Sequence, residues 1–188
     1  MAEAVEIPDG NKKIGLMIAV LALMLAFSEM GNKQAEAESV AKNIEAANLW
    51  AFFQAKTIRR TATLVAAEDM QARLAGVTEP AVKVAYEAQI KRWRDTAARY
   101  ESEPETNEGR KELIERAKAA EARRDLQKTR SEVFEISSAL IQIGIVLASA
   151  SIIAGISLLV WCAGGLGIAA LVLMGFGTWA PTAIPFIA

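Results

Sequence analysis

The sequence contains no histidine and a single cysteine, Cys162. Most zinc, haem and copper sites need imidazole or several thiolates, and a Ser-His or Cys-His nucleophile needs an imidazole base. One cysteine also rules out a disulfide within the chain. We therefore expect no metal, no cofactor and no catalytic residue, and we predict that the protein is not an enzyme.

Charge is absent from the whole C-terminal region. The 53 residues from Ile136 to Ala188 include no Asp, Glu, Lys or Arg. A bilayer core of about 30 Å needs roughly 20 apolar residues per helix, and only helices satisfy their own backbone in lipid. This length predicts a C-terminal hairpin with transmembrane helices at 136–156 and 157–180, followed by an interfacial tail at 181–188.

A shorter apolar run, Ile14 to Ser28, follows Lys12 and Lys13 near the N-terminus. It ends in a small-x-small pattern that a signal peptidase would accept, so a cleaved signal peptide is one alternative. Because lysine side chains can snorkel at the end of a short span, we favour an uncleaved helix. We predict an N-terminal tail at 1–13 and a transmembrane helix at 14–30.

The intervening region, 31–135, is dense in charge, but the charge is balanced. Ser28 to Glu135 holds 19 basic and 19 acidic residues, since only two of the 21 basic and three of the 22 acidic residues lie elsewhere. A balanced surface favours solvated helices with ion pairs over a phosphate-binding patch, so no nucleic-acid partner is expected.

Glycine and proline divide this region into three predicted helices. The first runs from Ser28 to Ala75, and Thr78 is expected to cap the second, which ends near Ser102. The third begins near Arg110 and continues into the membrane. At about 1.5 Å per residue the first helix extends about 72 Å and the other two together about 78 Å. These lengths favour an all-α membrane protein with a long antiparallel, coiled-coil-like stalk over a compact three-helix bundle.

Small and apolar residues recur along the first helix at steps of three and four. Such an Ala-rich face allows a partner helix to approach closely. The residues are Val40, Ile44, Ala47, Ala51, Ala55, Ile58, Ala62 and Val65.

Two short segments carry a family resemblance. They are Leu49-Trp50-Ala51-Phe52-Phe53-Gln54-Ala55-Lys56-Thr57-Ile58 after the first span, and Ala139-Leu140-Ile141-Gln142-Ile143 in the hairpin. Together with the layout of spans and charged helices, they resemble an uncharacterised bacterial membrane-protein family, catalogued as domain of unknown function 4337. The resemblance covers nearly the whole chain and implies a location in the bacterial inner membrane, without an assigned activity.

Trp50, Phe53, Gln54 and Lys56 are candidate interaction residues on one short stretch of helix. They are either a docking site with aromatic anchors or a structural cluster in which the aromatics fill the stalk and Gln54 fixes its register. We favour the structural interpretation.

The predicted spans contain further candidates. Gln142 suits an interhelical hydrogen bond better than a ring lining a pore, since no ionisable residue accompanies it in the membrane. Small residues four positions apart are typical of close helix packing. They are Gly144 with Ala148, and Gly165 with Ala169.

These features predict a non-catalytic structural or scaffolding protein of the membrane that forms a homo-oligomer through its stalk and spans. The alternatives are an accessory subunit of a larger membrane complex and an oligomeric channel or pore. Lysine and arginine near the span ends favour a cytoplasmic stalk and C-terminus.

Overall fold

A computed structural model describes residues 9–183, and within this range the chain is helical without a β-strand. The four α-helices are α1 (Asp9–Leu74), α2 (Pro80–Glu101), α3 (Arg110–Ala154) and α4 (Ser157–Trp179), and a 3₁₀ turn follows at Pro181–Ala183. The first eight residues of the predicted N-terminal tail and the interfacial tail from residue 184 lie outside the described range.

Three of the four helices have the length and composition of membrane spans. Segments of α1, α3 and α4 are apolar enough to cross a bilayer. Large apolar side chains are exposed on each of them, among them Leu23, Ile153 and Trp161. Because lipid accepts apolar side chains that water rejects, these helices indicate that the protein is associated with a membrane.

Glycine and proline set the boundary between α1 and α2. The Gly76 N–H donates to Arg73 O over 3.1 Å and closes the end of α1. Glu79 is the N-cap of α2 and makes no side-chain capping bond, so the prediction that Thr78 caps this helix is wrong. Pro80 in the first turn has no N–H that needs a partner, which reduces the need for a cap.

A glycine also makes the tight connection between α3 and α4. Gly155 has φ +70°, a conformation that other L-residues rarely adopt. Its N–H donates to Ser151 O over 2.9 Å, which ends α3 and allows α4 to begin at Ser157.

The chain forms two compact units. The first comprises residues up to Val40 together with those from Arg124 onwards, and the second comprises Ala41–Arg123. In the second unit, α1 and α3 share an apolar core. Its residues are Ala46, Leu49, Leu113, Ala117 and Ala120.

In the first unit, polar and apolar contacts join α1 to α3 and α4. Ser28 Oγ donates to Phe134 O over 2.9 Å and accepts from Ser138 Oγ over 3.0 Å. Leu21, Ile141 and Ala170 form the buried core. The side chains of Ser28, Ser138 and Phe134 are all buried. The two hydroxyls therefore have hydrogen-bond partners inside an apolar environment.

Gly31 allows the buried Phe134 ring to lie directly on the backbone of α1. A Cβ atom at Gly31 would lie 2.8 Å from Phe134 Cζ, well inside van der Waals contact. Glycine in a helix costs about 1 kcal/mol relative to alanine. The close approach of α1 and α3 at this point explains why glycine is present here.

We predict that Gly31→Ala destabilises the protein whereas Gly15→Ala on the same helix does not. Nothing lies within 4 Å of a Cβ at Gly15. Both changes gain helix propensity, so the comparison isolates overpacking against Phe134, which typically costs about 1–3 kcal/mol. Thermal unfolding of the purified protein in detergent, followed by circular dichroism, measures the difference. Equal midpoints for the two variants would contradict the close approach.

Candidate functional site

Trp50 and Phe53 lie on the face of α1 that contacts α3 in the second unit. Trp50 Nε1 donates to Glu121 Oε1 over 2.9 Å, and the two aromatic rings meet edge to face with centroids 5.7 Å apart. The Arg110 guanidinium lies 5.0 Å from the centroid of Phe53. A three-residue step along α1 brings both rings to the same partner helix.

Lys56 is the most enclosed charged residue of this unit. Its side chain is 8% exposed, and its Nζ lies 3.6 Å from Glu103 and 3.9 Å from Glu108. The same Nζ lies 5.3 Å from the centroid of Phe52 and 5.4 Å from that of Tyr100. Two carboxylates and two ring faces therefore compensate for the burial of this charge.

A second set of ion pairs adjoins Lys56. Glu101 Oε2 pairs with Arg60 at 3.0 Å and with Arg110 at 2.6 Å. Arg110 Nε also donates to Thr57 Oγ1 over 2.9 Å. We call Lys56, Arg60, Glu101, Glu103, Glu108 and Arg110 the Lys56 cluster. It links α1, α2, the loop after α2 and the start of α3.

Glu112 orders the connection between α2 and α3. It accepts a hydrogen bond from Ser102 Oγ over 2.6 Å and another from the Glu103 N–H over 3.3 Å. The Ser102 hydrogen bond is the largest cause that holds the pKa of Glu112 below its ordinary value. Glycine is required at position 109, because a Cβ there would collide with Glu112, Glu103 and Ser102.

Gln54 differs from its three neighbours in the predicted set. It is exposed, on the side of α1 that turns away from the Lys56 cluster. Trp50, Phe53 and Lys56 thus lie against other helices of their own unit, and Gln54 does not. The structure brings three of the four candidates together.

The Ala-rich face predicted on α1 is also exposed, except that Ala55 is only partly so. Ile44, Ile58 and Val65 keep 56%, 69% and 57% of their surface accessible. The face that contacts α3 within the unit is a different one, on which Ala46 and Leu49 are buried. We call the exposed face between residues 44 and 65 the α1 outer strip; its members are Ile44, Ala47, Ala51, Gln54, Ile58, Thr61 and Val65. The strip begins after Val40 and includes Gln54 and Thr61 in place of Ala55 and Ala62.

The candidates in the spans also divide into buried and exposed residues. Gly144 and Ala148 are buried, and a Cβ on Gly144 would lie 3.3 Å from Ala163 O of α4. Gln142, Gly165 and Ala169 are exposed. The small residues of α4 that pack inside the unit are Ala163, Gly167, Ala170 and Gly177.

Sequence reasoning missed Gly167 and the Lys56 partners for different reasons. Gly167 is one of several small residues on α4, and their spacing alone does not reveal which of them contact α1. Glu103 and Glu108 lie in a short acidic stretch that also contains Pro104 and Gly109, a pattern that by itself favours a solvated turn. A lysine within an aromatic segment was the one available signal that carboxylates would be needed nearby.

The comparisons with known proteins give one match. A family model described as Domain of unknown function (DUF4337) matches residues 10–180. No curated protein and no solved structure matches the chain.

We predict that Lys56→Met lowers the free energy of unfolding by about 1–3 kcal/mol. Methionine keeps the apolar stem but leaves Glu103 and Glu108 without this cation. The cost is smaller than for a fully buried pair, because Glu108 is half exposed. Lys118→Met, at an exposed position on α3, is the matched control. Denaturant unfolding followed by tryptophan fluorescence measures both, and equal losses would show that the contacts of Lys56 contribute no stability.

We also predict that the effect of Ser102→Ala depends on pH. A carboxylate whose pKa is lowered on folding stabilises the folded state above its ordinary value, 4.5 for Glu112, and loses this contribution as the pH falls through the lowered pKa. The stability difference between wild type and Ser102→Ala should therefore be constant near neutral pH and shrink in acid. In a Glu112→Gln background the pH dependence of this difference should vanish. If it persists there, another group is responsible.

Proposed function

The chain belongs to the family described as Domain of unknown function (DUF4337), and we propose that it is a non-catalytic integral membrane scaffolding protein that self-associates through its extramembrane and transmembrane helices. The family description assigns no activity, so the proposal depends on the surfaces of this chain. The α1 outer strip is the observation that carries it.

The α1 outer strip has the residue pattern of a helix–helix interface. Its members follow a heptad in which Ile44, Ala51, Ile58 and Val65 occupy a positions, while Ala47, Gln54 and Thr61 occupy d positions. β-Branched residues at a favour two-stranded pairing, and the small residues at d allow close approach. All seven are exposed in the single chain.

The strip is uncharged although the region around it is rich in charge. Its seven residues and the flanking Asn48, Ala55 and Ala62 include no ionisable side chain, whereas 38 of the 108 residues from Ser28 to Glu135 are charged. A solvated helix gains nothing from exposed isoleucines, and a strip without charge meets a copy of itself without like-charge repulsion. A second copy of this chain therefore suits it well.

Membrane insertion favours a parallel arrangement of the two copies. Two copies with one topology in one bilayer are related by an axis along the membrane normal when they form a closed dimer. Equivalent residues then lie at equal depth, so Gln54 of one copy would meet Gln54 of the other. A polar pair at one core position of a coiled coil fixes its register.

Residues within the spans support the same proposal. Gln142 is exposed on α3, and Gly165 and Ala169 are exposed on α4. An amide on a lipid-facing surface gains about 1 kcal/mol from an interhelical hydrogen bond, and small residues allow helices of neighbouring copies to pack closely.

We further propose that residues 31–135 form the antiparallel stalk and 136–180 the hairpin. In the first unit, Asn32 pairs with Ser131 and Ser28 pairs with Ser138. The residue numbers of the partners on α3 increase as those on α1 decrease, as in antiparallel helices. In the second unit, Trp50 with Glu121 and Thr57 with Arg110 follow the same order. The proposed location is the bacterial inner membrane, with a cytoplasmic stalk and C-terminus.

Disulfide trapping in membranes tests the proposal. Ala47 lies in the strip, and Cys162 is exposed and must first be changed to Ala. In that background we expect Ala47→Cys to form a dimer of this chain under mild oxidation, because a parallel pair places the two thiols within the reach of a disulfide. Non-reducing electrophoresis of whole membranes measures the product.

Ala119→Cys is the matched control, because it is an exposed alanine on α3 outside the strip. It should remain monomeric. Equal trapping at both positions, or trapping of Ala47→Cys to a foreign chain in fixed ratio, would overturn self-association, and the second outcome would indicate an accessory subunit.

A further inference from the structure

A groove of about 330 Å³ opens in the first unit between α1, α3 and α4. Phe27 and Met30 of α1, Phe134 of α3 and Met174 of α4 form its apolar part. Gln34 and Glu38 of α1, with Gln127 and Arg130 of α3, form its polar part. We call this the interfacial groove.

The groove changes from apolar to polar in the direction that a membrane lipid requires. Along α1 the apolar Phe27 and Met30 adjoin the span, and Gln34 and Glu38 follow farther from it. Along α3 the polar Gln127 and Arg130 precede Phe134, which adjoins the span. Both helices thus place apolar side chains toward the hydrocarbon and polar ones toward the headgroup layer, as a glycerophospholipid does.

Arg130 is held at the groove by the end of α4. Its Nε donates to Gly177 O over 2.8 Å, and its Nη2 donates to Thr178 O over 2.6 Å. These are carbonyls of the last turn of α4, which have no partner within the helix. A guanidinium has five N–H groups, so donors remain for a phosphate.

Glu38 presents a carboxylate to the same groove. Gln127 also lines the groove, but its Oε1 atom is enclosed by protein atoms and is not open to a ligand. A carboxylate favours a cation and accepts strong hydrogen bonds from one that carries N–H donors. Arg130 and Glu38 therefore suit a ligand that has both an anionic and a cationic group.

We propose that the interfacial groove binds a glycerophospholipid with a primary-ammonium headgroup of the ethanolamine type. Its phosphate meets Arg130, and its ammonium donates to the Glu38 carboxylate. A choline headgroup has no N–H and cannot donate to Glu38, and a glycerol headgroup leaves the lipid with a net negative charge beside Glu38. The proposal requires that the helices span a membrane but is independent of self-association.

The first experiment uses the unaltered full-length protein and varies the lipid. Protein in detergent receives phosphatidylethanolamine, its N-methyl and N,N-dimethyl derivatives, phosphatidylcholine or phosphatidylglycerol, and native mass spectrometry measures the lipid retained. We expect retention to fall with each methyl group, by about tenfold from ethanolamine to choline, as for the loss of a hydrogen bond to a charged group. Equal retention across the series, or preference for phosphatidylglycerol, would overturn the headgroup assignment.

The second experiment varies the protein. Glu38→Gln should abolish the preference for ethanolamine over choline, while Glu36→Gln, at an exposed carboxylate of α1 that does not line the groove, should preserve it. Arg130 is left unaltered because it also binds the end of α4. An ethanolamine preference that survives in Glu38→Gln would place the lipid elsewhere. Disulfide trapping at Ala47 is scored separately, so failure of self-association and failure of lipid binding are distinguishable.

Discussion

The structure depends first on the need to satisfy backbone hydrogen bonds where water is absent. A helix does so within itself, and the three apolar segments that are long enough to cross a bilayer are all helical. The same requirement makes the end of each span a problem. The chain solves it at the end of α3 with Gly155, whose positive φ turns the backbone, and at the end of α4 with Arg130, which donates to Gly177 O and Thr178 O. The ends of α3 and α4, and the position of Arg130 at the interfacial groove, follow from these two solutions.

Outside the spans, charge takes the place of a large apolar core. The second unit has alanines at many of its core positions, such as Ala46, Ala117 and Ala120, which bury little apolar area. The Lys56 cluster adds ion pairs and ring contacts where the loop after α2 meets α1. Because breaking one partner of an enclosed pair costs more than forming the pair gains, such a cluster favours one arrangement of helices over others. Specificity of packing is therefore the contribution that we assign to Lys56.

The positions of the helices could be predicted from the sequence, but the faces they turn to one another could not. Gly76 with Pro80, and Pro104 with Gly109, mark breaks between helices that the structure places at 75–79 and 102–109. Which face of a helix packs inward depends on contacts with residues far away in the sequence. A pattern of small residues can fit more than one face, so it does not identify the buried one. Gly165 and Ala169 have the same spacing as Ala163 and Gly167, yet only the second pair is buried. The aromatic segment draws attention to Lys56 in the sequence, but Glu103 and Glu108, which lie near it in the structure, are about fifty residues away along the chain.

The two faces of α1 impose different requirements on one helix. Lys56 is buried and Ile58, two positions later, is 69% exposed, the reverse of what burial of apolar surface alone would give. The inner face can hold a lysine because Glu103 and Glu108 compensate for its charge. The outer face carries no charge over three heptads, although neighbouring positions such as Glu45 and Arg59 do. A helix that paired only with its own chain would lose nothing by placing charges on the outer strip. The restriction of charge to the other faces of α1 is therefore the feature on which the proposed pairing of two copies depends.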